Sequence, residues 1–299
     1  MIFIGGPTSS GKTSLAINIC KKFNGEIVSA DSRQVYKHFD VGTGKTPVGG
    51  NVEVLKNDFS WEIDGVKIWL YDVADPLKDY SVVDFKRDAQ IAMNDIRSRG
   101  KMPVVVGGTG FYIDSLLGYE IDVNIPQNKI LRDSLKDKSV QELQQMLPSA
   151  VKNELNNSEL NNPARLIRKI EILEAGGEIK LKDSFISALE KDLIVLTRSR
   201  EEMYVRSDKW VDLIWQPLLV EVTKLLDIGY KDSTIMKGLI YNTALSFIQG
   251  EIAQTDAIQK IKYDIHAYIR RQETWFKKYK EAKFINPAEK SFDVVIESM

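Results

Sequence analysis

Gly6-Pro7-Thr8-Ser9-Ser10-Gly11-Lys12-Thr13 stands between an apolar run at residues 1–4 and a stretch in which Leu15, Ile19 and Phe23 recur at helical spacing. It has the form G-x-x-x-x-G-K-[ST], the P-loop, and it lies where that loop is needed, after a strand and before a helix. The glycines let backbone N–H groups turn inward around phosphate oxygens, and the helix that starts near Lys12 adds its positive N-terminal end. Lys12 supplies a point charge, and the Thr13 hydroxyl is placed to ligate Mg²⁺. Residues Gly6 to Thr13 are therefore expected to bind a phosphate compound. The loop does not say which one. A nucleoside triphosphate is the usual occupant, but any pyrophosphate has the same anionic shape.

Around this loop the first ~115 residues alternate short apolar runs with helical patterns, the rhythm of a parallel α/β sheet. Strands are expected at residues 1–4, 26–29, 66–72 and 103–106, and helices at 14–23 and 82–99. The run at 103–106 is almost continuously apolar, as in the middle of a parallel sheet, and stops at Gly107-Gly108. From 128 to 182 the chain is polar and helical, broken at Asn156-Asn157 and Asn161-Asn162-Pro163. Residues 192–197 give one more strand that returns to the sheet, and the remainder is mostly helical. The fold class is thus α/β, a P-loop NTPase-like parallel sheet flanked by helices, with a helical insertion. The expected division is a core of residues 1–117 with 190–299, and an insertion of 118–189.

The composition narrows the function. The 299 residues are 43% hydrophobic and 28% charged, the balance of a folded protein with a sizeable core. The formal net charge of -1 leaves nucleic-acid binding to a local basic patch. Cys20 is the one cysteine, so no intrachain disulfide forms, and the isolated His38 and His266 argue against a Cys/His metal site. No apolar run is long enough to span a bilayer, and residues 1–4 lack the basic start of a signal peptide. A cytoplasmic monomer is expected.

Ser29-Ala-Asp-Ser-Arg-Gln-Val-Tyr36 follows the second strand. In an open parallel sheet ligands bind beyond the carboxyl ends of the strands, so Asp31 belongs near the phosphate loop. Its carboxylate could hold Mg²⁺ or take a proton from a nucleophile; equally, it could cap the next turn through backbone amides. Gly107-Gly-Thr-Gly-Phe-Tyr112 follows another strand end and either approaches a ligand or makes a tight turn. Residues 258–283 hold eight Lys/Arg against three Asp/Glu, with Tyr268, Trp275 and Phe276 interleaved. That run reads as a phosphate-contacting surface or as a solvated helix face.

Together these residues resemble the tRNA dimethylallyltransferase (tRNA isopentenyltransferase) family. The resemblance rests on Gly6 to Ser14, Ser29 to Tyr36, Asp40-Val-Gly-Thr-Gly-Lys45, Asp75-Pro with Tyr80-Ser-Val-Val-Asp-Phe85, and Gly107 to Tyr112. It recurs at Asn162-Pro-Ala-Arg-Leu-Ile-Arg-Lys-Ile-Glu171, Arg200-Glu201, and Arg270-Arg-Gln-Glu-Thr-Trp-Phe276. It implies attack of the exocyclic amine of the adenosine beside the anticodon on C1 of dimethylallyl diphosphate, with loss of pyrophosphate. By likeness Asp31 is the general base, and Thr13 contacts diphosphate and Mg²⁺. Ser32, Arg33 and Gln34 touch the target base and its neighbours, and Thr109 lines the channel. Arg165, Arg168, Arg270 and Arg271 meet the tRNA.

The chain departs from the family pattern at Trp210, where a second arginine normally follows Arg206, and this leaves Arg206 or Lys209 to supply the charge. The later stretches Lys237-Gly-Leu-Ile-Tyr-Asn242, Ile265-His266 and Lys67-Ile-Trp-Leu70 also depart from it. Two competing readings stand beside the transferase. One is a P-loop kinase of a nucleoside or small metabolite, favoured by Ile68-Trp-Leu-Tyr-Asp72 as a strand ending in a Mg²⁺-binding acid. The other is an RNA-binding remnant without activity, motivated by Trp210.

Overall fold

A computed structural model of the chain describes residues 1–49, 52–118, 125, 127–177, 192–289 and 292–297. It divides into two compact units, Met1–Gly118 with Ile186–Met299, and Tyr119–Phe185.

The larger unit is built on an eight-stranded sheet: β1 (Ile2–Gly5), β2 (Gly25–Ser29), β3 (Val54–Asn57), β4 (Ser60–Ile63), β5 (Val66–Trp69), β6 (Met102–Val106), β7 (Leu193–Leu196) and β8 (Lys283–Ile285). The order is β3-β4-β5-β2-β6-β1-β7-β8. Strands β5 through β8 in that order are parallel, while β3 and β4 form an antiparallel hairpin on β5. The sheet is therefore mixed but mostly parallel, and the hairpin and β8 are additions to the expected strands. Because β1, β2 and β6 run in parallel, Gly5, Ser29 and Val106 end at one edge. In register, Ile2 pairs with Val104 and Ile27 with Val104 from the other side. The expected strand at 66–72 stops at Trp69, since Leu70 and Asp72 take positive φ (68° and 59°), which ends an extended ladder.

Helix α1 (Lys12–Phe23) buries Leu15, Ala16, Ile19 and Cys20 against Ile4, Ile27, Ile68, Val104, Val106, Ile194 and Leu196 of the sheet. Burial of Leu15 and of Ile19 contributes about 1.5–3 kcal/mol each. Helix α2 (Val82–Ser98) starts in a capping box, Ser81 with Asp84, and buries Phe85, which stacks on Tyr112 of α3 (Gly110–Leu117).

The smaller unit holds α4 (Lys129–Leu135), α5 (Val140–Gln145), α6 (Ser149–Glu154), α7 (Asn157–Leu160) and α8 (Pro163–Glu174). Its core is Leu135, Leu143, Leu147, Leu155, Leu166 and Ile170. The expected helical stretch is helical through these elements, and its last part, residues 178–182, lies outside the described residues.

The larger unit is completed by α9 (Arg200–Asp227), α10 (Leu239–Ile248), α11 (Gln254–Phe276) and α12 (Phe292–Glu297). Long α9 begins with Ser199 and Glu202 in a capping box and packs on α11. Among the described residues no helix is long and apolar enough to cross a membrane.

Candidate active site

The phosphate loop joins β1 to α1. Gly11, the residue before α1, has φ 103°, a left-handed conformation that a side chain would strain, and no side chain caps the helix. The first N–H groups of α1 are thus left for a ligand. The loop's outward carbonyls meet cations. Pro7 O accepts from Lys12 Nζ at 2.7 Å, Ser9 O from Arg206 Nε at 2.9 Å, and Ser10 O from Arg198 Nε at 3.2 Å. Burial pushes the Lys12 ammonium down to about 8, although the negative charge of Asp31 acts to raise it. Thr13 is exposed at the mouth of the loop.

Asp31 follows β2. Its Oδ1 accepts the Arg33 N–H at 2.8 Å, so the turn-capping role is real. Its second oxygen has no hydrogen-bond partner among the described residues, which leaves it free for a base's work. The two roles that spacing left open are compatible on one carboxylate. Beside it, Ser32 N–H donates to Thr109 Oγ1 at 3.0 Å, and that hydroxyl donates to Ser32 Oγ at 3.2 Å. Burial, with the charge of Asp31, pushes the phenol of Tyr268 in α11 up to about 12. Gln34 is fixed at both ends, accepting from Ser29 Oγ at 2.9 Å and donating to Thr43 O at 3.2 Å.

The loop from Asp40 to Lys45 forms a further wall. Glu221 of α9 accepts the N–H groups of Asp40, Val41 (2.8 Å) and Gly42 (3.1 Å), and the Tyr241 hydroxyl at 2.8 Å. At the other end Lys45, fully buried, donates to Tyr36 O at 2.8 Å and pairs with Asp40 and Asp72. Asp72 also accepts Trp61 Nε1 at 2.6 Å. This corrects the reading of Asp72 as a metal-binding acid at a strand end: the strand stops three residues earlier, and the carboxylate is occupied by an internal cation and an indole.

These elements surround a cavity of about 660 Å³. Thr8, Ser9, Gly11, Lys12, Thr13, Asp31, Arg33, Gln34 and Arg206 line it, as does Trp210. Gly6, Pro7 and Ser10 stand behind the lining, and Ser10 is wholly buried. Ser32 lines a smaller recess of about 250 Å³ with Arg33, Tyr36, Tyr80, Tyr112 and Lys237. Arg270 and Arg271 are exposed on α11; Arg270 donates to the Tyr204 hydroxyl at 3.0 Å, and Arg271 lies 5.7 Å from the Tyr268 ring. In the smaller unit Arg165 is exposed. Arg168 donates to Glu171 and to Ile125 O, both at 2.8 Å. Burial acts to raise the Glu171 carboxyl, but Arg132, Arg168 and the Asn128 N–H hold it down at about 2.

The sequence did not single out Arg198 or Glu221, and Lys45, Tyr268 and Gln272 stood within longer stretches without being given a role. Gln272 carried a signal: it is 4% exposed and shares helical spacing with buried Ile265, Ile269, Phe276 and Tyr279. Glu221 carried none, being one acid among many on a long helix.

Among the described residues no group of three His, Cys, Asp or Glu could hold a metal alone. The donors present at the loop, the Thr13 hydroxyl and Asp31, are hard oxygens. They fit Mg²⁺ that keeps waters and is held chiefly by substrate phosphates.

A family model described as IPP transferase matches residues 34–279, and one described as isopentenyl transferase matches residues 1–57. The chain is 37% identical to the tRNA dimethylallyltransferase of Acetivibrio thermocellus, across 97% of this chain and 92% of that protein. It is 33% identical to the tRNA dimethylallyltransferase of Staphylococcus epidermidis, across 100% and 90%. The crystal structure of the S. epidermidis tRNA delta(2)-isopentenylpyrophosphate transferase matches with a TM-score of 0.67 at 32% identity, covering 100% of this chain and 97% of that one. The Bacillus halodurans tRNA isopentenylpyrophosphate transferase matches at 0.68 and 29%, covering 99% and 92%. A eukaryotic dimethylallyltransferase acting on tRNA shares the fold, with a TM-score of 0.72 at 23% identity over 96% of this chain and 73% of that one.

Proposed function

The chain belongs to the IPP transferase family, and from that membership we propose that it is a tRNA dimethylallyltransferase. The dimethylallyl group passes from dimethylallyl diphosphate to the exocyclic amine of the adenosine adjacent to the anticodon. The C1–O bond breaks with its electron pair leaving on pyrophosphate, the C1–N bond forms, and the amine's proton is taken by Asp31. The observation that carries this reading is that Lys12 and Thr13, which suit the diphosphate, and Asp31, which suits the amine, line the same cavity.

In this scheme the loop from Gly6 to Thr13 holds the diphosphate through the uncapped N–H groups at the start of α1 and through Lys12, and stabilises the charge that grows on it in the transition state. Arg206 steadies the loop through Ser9 O and adds its charge. Mg²⁺ held by Thr13 and the phosphates would supply further neutralisation of the leaving group. Asp31, with one oxygen locked in its turn, presents the other to the amine. The target base is drawn out of its stack to enter, at a cost of a few kcal/mol. Arg33, Gln34, Ser32 and Thr109 surround it, while Arg270 and Arg271 with Arg165 and Arg168 meet the tRNA backbone. Arg168 would have to share its guanidinium with Glu171. The protein acts as a cytoplasmic monomer.

The kinase reading loses its main support, because Asp72 is paired with Lys45 and Trp61. The test is incubation with labelled dimethylallyl diphosphate and tRNA, beside a parallel ATP-turnover assay. Label in the adenosine next to the anticodon supports the transferase. Phosphoryl transfer from ATP to a small molecule without prenylation favours the kinase. Binding of tRNA without either reaction favours the inactive relative.

A further inference from the structure

Helix α11 turns one face to the ends of β1 and β6 and to the start of α3. Phe276 stands against Gly5, Trp275 against Gly110 and Gln272 against Gly108. A Cβ on Gly108 would lie 2.4 Å from Gln272 Nε2, an approach that glycine alone permits. The Gln272 amide is buried and bonded at both ends. Its Oε1 accepts the Thr8 N–H at 2.9 Å and the Thr8 hydroxyl at 3.1 Å, and its Nε2 donates to Gly108 O at 3.0 Å. Thr8 belongs to the phosphate loop. Gly108 precedes Thr109, whose hydroxyl accepts the Ser32 N–H at 3.0 Å, next to Asp31. One side chain therefore joins the loop that suits the donor to the turn from which Asp31 is hung.

We propose that Gln272 is a positioning residue that sets the distance between the diphosphate cradle and the base Asp31. The inference rests on the transferase reading above. Gln272 does not line the cavity and acts through Thr8 and Gly108. The amide is chemically specific for this place, since it offers an acceptor and a donor on one plane. A glutamate keeps the acceptor for Thr8 but has no proton for Gly108 O; a methionine keeps the length and loses both. Attack needs the reacting atoms about 3–3.5 Å apart, and a displacement of 1 Å costs on the order of 100-fold in rate. The loss belongs in the chemical step, because the loop retains the N–H groups of α1 and Lys12 to bind diphosphate.

The experiment measures single-turnover transfer, the Kd for dimethylallyl diphosphate and the thermal midpoint of Gln272→Met and Gln272→Glu in the full chain. It also measures the share of donor that ends as dimethylallyl alcohol, formed when water takes C1 in place of the amine. The expected result is a single-turnover rate ~100-fold lower for Gln272→Met, a smaller loss for Gln272→Glu, unchanged donor Kd, and a larger alcohol share in both. Should Gln272→Met not fold, Gln272→Glu decides, together with its double variant with Thr8→Val, whose losses are expected not to add. Normal transfer and normal alcohol share in the folded variants overturn the inference while the function stands. So does a weakened donor Kd with the rate at saturation intact. A wild-type chain that transfers nothing overturns both.

Discussion

Arg206 Nε donates to the carbonyl of Ser9 at 2.9 Å, and one helical turn on, the Trp210 ring edge lies 3.7 Å from where a Cβ on Gly44 would stand. Both side chains line the same cavity, so the tryptophan that replaces the family's second arginine sits at the site rather than beside it. Arg206 is then the cation of this pair that reaches the loop. Arg206→Ala should cost ~10²–10³ in kcat, the range for losing one preorganised donor to developing negative charge. Trp210→Arg should raise turnover or leave it unchanged. A sharp fall would give the indole a positive role, as a wall or a stacking surface. Steady-state kinetics of the two variants separate these outcomes.

Asp31→Asn should retain the turn, because an amide oxygen still accepts the Arg33 N–H. It should keep tRNA and donor binding and lose ~10²–10⁴ in kcat, the contribution of a general base. Abolished diphosphate binding in this variant would point to a metal-holding role instead.

Lys12 gives the site a proton linkage. Its ammonium is held down to about 8 in the free protein, against 10.5 in the unfolded chain. Between these values the unfolded state binds more protons, so Lys12 makes the free fold gain stability as pH rises through that window. A bound diphosphate restores the charge and raises the folded value. Donor binding at pH 8.5–9 should therefore take up a proton, and affinity should fall as pH rises past about 8. Calorimetry in buffers of different ionisation enthalpy measures the uptake, and Lys12→Met should abolish it along with most donor affinity.

Glu221→Ala would leave the N–H groups of Asp40, Val41 and Gly42 and the Tyr241 hydroxyl without their acceptor. Each buried group left unpaired costs about 1–3 kcal/mol, less what water recovers. A loss of ~3 kcal/mol in unfolding free energy is expected by denaturant titration, with Glu221→Gln retaining part of it. Because Gly42, Thr43 and Gly44 line the cavity, KM should rise in the same variants.

The P-loop and the acid after β2 were legible because their signals are local: glycine spacing, an apolar run before it and a helical period after it. The hairpin of β3 and β4 was not. Val54-Leu-Lys-Asn57 is mostly exposed, so it carries little of the alternation that burial on one face imposes. Strand β8 is three residues long, two of them exposed at the sheet edge, and lacks a pattern for the same reason. The site's supports fall in between. Glu221 and Gln272 act on residues about 180 and 264 positions away, and no window of sequence contains both ends of such a contact.

That last separation has a consequence in time. The phosphate loop is made within the first thirteen residues of the chain, but the amide that fixes Thr8 follows 264 residues later. At a synthesis rate of ~5–20 residues per second, roughly 13–50 seconds pass between them. Throughout that interval a nascent chain can present the glycine-rich loop and its helix without the brace from α11.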